Sequence, residues 1–274
     1  MKLPKPTGNY CYLCNKPLSE YDSNLKPQPD DKETKDHIPP DCLFPKPKPS
    51  NLISVKCCYR CNQDHSEFDT QLQVMASLPF DRNPAGQRTL DEKVFQGIFG
   101  TGRQLDLQLQ VLSTIRNVPN SNLARFNIHG KPFTDGMIQI TKGLLRFFYP
   151  NFDYSKNHFI VIPLSPIPSE AQTRLIQMLG QRQYDVRGDR VFEFWRYVDE
   201  TKNSGGWMIT FYQCSAFVVL HKPPETFNLL TKLRMLWNKI RAKFLSDRFQ
   251  IVSSRHWINY AKQFISLPGF AKAL

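Results

Sequence analysis

Two Cys-x-x-Cys pairs, Cys11/Cys14 and Cys58/Cys61, constrain this chain more than any other feature, because one metal ion bound by both would tie together segments far apart in sequence. Four thiolates arranged as two such pairs suit a tetrahedral Zn²⁺, each pair turning both sulfurs towards one point. Such a site is closed and structural: it leaves no coordination position for a substrate, so any chemistry must come from residues that the zinc holds in place. Cys57, beside Cys58, leaves one ligand ambiguous, and the two-residue gap to Cys61 favours Cys58. Seven cysteines, an odd number with four in metal spacing, point to reduced thiols and a cytoplasmic protein.

Between and just beyond the two pairs lie Asp36-His37, Asn51-Leu52 and Cys61-Asn62. A carboxylate and a side-chain amide are oxygen donors suited to hard Mg²⁺ or Mn²⁺, and an imidazole can take up a proton near neutral pH. In their order and spacing, CYLC, KDHIPP, SNLISV and CYRCN resemble the HNH, or ββα-metal, endonucleases. The likeness is to a bacterial branch stapled by a zinc ribbon, with Asn instead of His at the third signature position. It covers roughly residues 8 to 80. It implies Asp36 and Asn62 as ligands of a catalytic divalent ion, His37 as the general base that takes a proton from the attacking water, and Asn51 as the residue fixing the loop that aims the histidine. His65, three residues after Asn62, would be a second metal ligand or a phosphate contact. The spacing from Asn51 to Cys61 is about two residues longer than is common in the family. The implied activity is hydrolysis of DNA phosphodiester bonds to 5′-phosphate and 3′-hydroxyl ends, as an effector of anti-phage defence with protein components of a defence system as partners. Two other readings stay open: a non-catalytic zinc ribbon that binds nucleic acid or a partner, and a nuclease acting on RNA.

A net charge of +12 implies an anionic partner, and nucleic acid is the simplest one. From Asn228 onward nine basic residues face the single acid Asp247, so the last segment carries most of the excess. In that segment Leu229, Leu233, Leu236, Trp237, Ile240 and Phe244 recur at helical spacing, which predicts a basic amphipathic helix packed by its apolar face. Lys46 and Lys48, in LFPKPKP, are candidate phosphate contacts on an extended, stiff arm, or else charges that only keep a spacer solvated. No apolar run approaches the ~20 residues of a membrane span.

The expected fold is α+β: a small zinc-stapled ββα-metal domain, then a larger α+β domain with an antiparallel sheet, then basic C-terminal helices. Composition places the boundaries at 1–80, 81–227 and 228–274. A helix is expected from about Cys61 to Met75, with Phe68, Leu72 and Met75 as its apolar stripe, and others at about 89–98, 103–116, 134–148 and 169–179. Residues 52–55 predict a short strand and 158–164 a buried one, while 191–198, 207–212 and 215–221 are β-rich, the first two joined as a hairpin. In the second region His129, His158 and His221 lack partners at ligand spacing and are expected to be structural.

Overall fold

The segment between the cysteine pairs forms a hairpin, with β1 (Glu33–Ile38) antiparallel to β2 (Ile53–Cys58), whose Ile53, Val55 and Cys57 alternate with polar residues. The computed structural model describes residues 9–20, 29–64, 66–78, 82–95, 116–117, 124–125, 130–164, 177 and 182–223. His65, the basic segment from Asn228 and, but for one residue each, the expected helices at 103–116 and 169–179 lie outside the described residues. β1 stops where Pro39-Pro40 removes two backbone donors. Register sets the faces. Ile38 opposite Ile53, Asp36 opposite Val55 and Thr34 opposite Cys57 share the core side, and His37 opposite Ser54 lies on the other.

The expected single helix after the hairpin is two. α1 (Tyr59–Gln63) starts earlier than its apolar pattern suggests, because Lys32 O and Asp30 O accept the N–H groups of Tyr59 and Arg60 at 2.8 and 3.1 Å. After a turn at Asp64 comes α2 (Ser66–Ser77), with Phe68, Leu72 and Met75 buried along one stripe as the spacing predicts. α3 (Pro84–Thr89) is capped by Asn83, whose Oδ1 accepts from Gly86 N at 2.9 Å, and runs into a π-type turn at Leu90–Phe95. A two-residue pair, β3 (Arg116–Asn117) and β4 (Ala124–Arg125), follows.

α4 (Gly130–Phe148) buries Phe133, Met137, Ile140 and Leu144. It lies between the hairpin and the sheet, and two glycines permit the approach. A Cβ on Gly136 would sit 2.0 Å from the Phe68 ring, and one on Gly143 would sit 2.5 Å from the side chain of Ile38. The sheet is antiparallel, in the order β5 (His158–Pro163), β9 (Ser215–Lys222), β8 (Ser204–Phe211), β7 (Phe192–Asp199), β6 (Gln183–Arg187). Its inner face presents Phe192, Phe194, Trp207, Ile209, Phe211, Phe217 and Val219 to the core. β5, expected to be buried, is an edge strand and only half-buried.

A single core runs across residue 80, joining Phe44 and Leu72 to Phe211 and Tyr212. The loop after β1 is held from both sides of that position. Cys42 O accepts from Gln73 Nε2 at 2.6 Å and from Lys93 Nζ at 2.8 Å, and Phe44 O accepts from Lys93 Nζ at 2.7 Å. Leu43 O accepts from Tyr212 Oη–H at 2.5 Å and from Thr89 Oγ1–H at 3.2 Å. The expected arm follows a 3-10 turn at Asp41–Leu43: Phe44 and Pro45 are buried on the core, and Lys46, Pro47 and Lys48 are exposed. Buried carbonyls need donors, and this cage supplies them.

Candidate metal centre

The first cysteine pair sits in a tight turn closed by Asn15 N donating to Cys11 O and Cys11 N donating to Lys16 O, both at 2.9 Å. Tyr12 N donates to Lys56 O at 3.2 Å and so docks the turn on β2. The second pair straddles the end of β2 and the start of α1. One sulfur from each of Cys11, Cys14, Cys58 and Cys61 forms a cluster in which all lie within 4.8 Å of one another. Cys14 and Cys58 are 3.8 Å apart, which matches the edge of about 3.8 Å expected for a tetrahedron of Zn–S bonds of about 2.3 Å. The donor set is therefore one that a structural metal ion such as zinc fits.

Cys57 is outside the four-sulfur set, although its Sγ lies 3.7 Å from that of Cys11. It leaves β2 on the core side beside Val55, and Cys58 leaves on the opposite side, towards Cys61. Burial pushes the Cys58 and Cys61 thiols up, and the hydrogen bond with Cys57 pulls Cys11 down to about 4 while pushing Cys57 up. Thiols packed like this cannot ionise together without a cation among them, which is the condition a metal satisfies.

Asp36 and His37 leave β1 on opposite faces. Asp36 Oδ2 accepts from Tyr12 Oη–H at 2.5 Å; burial raises the Asp36 carboxyl, opposed by that hydrogen bond and by His37. His37 Nδ1 lies 3.0 Å from Ser54 Oγ, its cross-strand neighbour. Asn62 is half-buried on α1, directly after Cys61. Asn51 is exposed in the turn before β2, and the ring of His37 rests against Ser54. Lys48 is ion-paired with Asp41, and Lys46 is exposed in the same loop.

Three side chains near Asp36 or His37 have no counterpart in the motif reading. Tyr12 lies inside the first Cys-x-x-Cys, where spacing treats it as filler. Ser54 can be picked out only once register pairs it with His37. Asp69, on α2, is raised to about 7 by burial and then by the charges of Asp36 and Asp41. Asp36 and Asp69, both half-buried, repel each other when charged, whereas Asp41 is ion-paired with Lys48.

A scan against protein-family models and searches of curated proteins and of solved structures find no match for this chain. What the coordinates establish is a mixed helix-and-sheet fold whose first hairpin and helix are joined by a zinc-ribbon-like cluster of four cysteines. Among the described residues no helix is long and apolar enough to cross a membrane.

Proposed function

We infer that the chain is a metal-dependent HNH endonuclease acting on DNA, an effector of anti-phage defence working in the cytoplasm. The observation that carries this reading is the cysteine cluster at the junction of β2 and α1: it ties Asn62 to the hairpin that bears Asp36 and His37, in the order strand, strand, helix.

Asp36 and Asn62 would hold the divalent ion, which would relieve the repulsion between the Asp36 and Asp69 carboxyls. Bound there, Mg²⁺ or Mn²⁺ would neutralise charge on the phosphoryl group and the leaving oxygen. With Nδ1–H donated to Ser54 Oγ, the lone pair of His37 Nε2 is free to accept a proton from water. Beyond Glu33, whose N–H donates to Ser19 O, no strand other than β2 pairs with β1 among the described residues. Lys46, exposed, is free to contact a neighbouring phosphate, whereas Lys48 would first have to leave Asp41.

The test is incubation of supercoiled plasmid, and of labelled RNA alongside, with Mg²⁺ or Mn²⁺. Conversion of the plasmid by wild type, its loss with EDTA, and its loss in His37→Ala at unchanged zinc content are expected. Equal cutting by His37→Ala would refute the mechanism. The hydrogen bond that holds half-buried Asp36 against buried Tyr12 favours one rival, a zinc ribbon that binds nucleic acid without cutting it. That rival predicts salt-sensitive retention of DNA, unaffected by Asp36→Ala, and no conversion in any metal.

A further inference from the structure

We propose that Tyr12 is a positioning residue for the divalent ion, fixing the orientation of the Asp36 carboxylate; this rests on Asp36 being a ligand of that ion. The Tyr12 hydroxyl donates to Oδ2 at 2.5 Å, which ties down one of the two carboxylate oxygens. A free aspartate side chain rotates about two torsions, and a partner on one oxygen removes that freedom before the ion arrives. Tyr12 can do this because it is itself immobilised. It is 4% exposed, its N–H donates to Lys56 O on β2 at 3.2 Å, and its carbonyl accepts from Tyr154 Oη–H at 2.7 Å. The flanking Cys11 and Cys14 belong to the thiol cluster, so the metal staple, the hairpin and the segment between α4 and β5 all hold the one side chain that aims Asp36.

The experiment uses full-length, zinc-loaded protein and Mn²⁺ as the probe, with free Mn²⁺ measured by electron paramagnetic resonance. Wild type, Asp36→Asn and Tyr12→Phe are compared at equal zinc content. Wild type is expected to bind Mn²⁺, Asp36→Asn to lose it, and Tyr12→Phe to bind about tenfold or more weakly, the usual effect of removing an outer partner of a metal ligand. Unchanged or tighter binding by Tyr12→Phe would overturn the proposal. If Asp36→Asn binds as wild type does, or wild type does not bind, it is the assignment of Asp36 that fails. Should Tyr12→Phe not fold, wild type labelled with ¹³Cζ-tyrosine decides the question. The Tyr12 signal must move on saturation with Mg²⁺ and stay put in Asp36→Asn; a signal that does not move while Mg²⁺ binds refutes the positioning role.

Discussion

His221 should make the sheet sensitive to acid, by an amount that follows from its surroundings. The ring is 2% exposed on β9, with Phe152 and Phe159 against it at centroid distances of 5.4 and 5.7 Å. Nδ1 lies 3.1 Å from Asn157 Nδ2, and Nε2 has no hydrogen-bond partner among the described residues. Burial pulls its pKa from 6.5 down to about 3. Above 6.5 the ring is neutral in both the folded and the unfolded chain and stability is intact. As pH falls below 6.5 the unfolded chain takes up the proton first, so stability is lost progressively until the folded pKa is reached. With RT of about 0.6 kcal/mol, the loss between pH 7.5 and pH 5 is about 2 kcal/mol from this one group. Urea unfolding of wild type and His221→Phe at both pH values isolates it, since every other titrating group cancels in the difference. Wild type should lose about 2 kcal/mol more than the variant on acidification. Equal losses would mean that the ring is not held neutral by burial.

Two further outcomes follow from the carbonyl cage and the helix contacts. Tyr212→Phe should cost about 1 kcal/mol in denaturant unfolding, and Thr89→Val combined with it should cost more than the two singly, because Leu43 O is then left buried without a donor; additive costs would contradict a shared acceptor. Gly136→Ala should destabilise by about 1–3 kcal/mol despite the better helix propensity of alanine, since its Cβ meets the Phe68 ring; a rise in melting temperature would show that α2 and α4 do not approach so closely.

How much of this could be read from residues alone depended on what each element is made of. β7, β8 and β9 are rich in aromatic and β-branched residues and were legible to within three residues at either end. β6, QYDVR, was not: an edge strand carried by its neighbour's hydrogen bonds needs little apolar pattern of its own. α4 begins four residues before its expected start, since Gly130 and Lys131 add nothing to the apolar stripe. The four cysteines of the cluster were legible because metal ligands obey local spacing. The two-residue gap to Cys61 also favoured Cys58 over Cys57, and the cluster contains Cys58. Tyr12, Ser54 and Asp69 could not be found at all, because their importance comes from what β1 places beside them. The continuity of the core across residue 80 was hidden for a similar reason: the donors to Cys42, Leu43 and Phe44 come from residues 31 to 169 positions away.

Metal content is the measurement on which the account turns. Protein purified without added metal and measured by elemental analysis should hold one zinc per chain. Cys58→Ser should lose it together with cooperative unfolding, and Cys57→Ser should keep it. A wild-type chain without zinc, or one that loses zinc through Cys57→Ser and keeps it through Cys58→Ser, would contradict the staple that joins the hairpin to its helix.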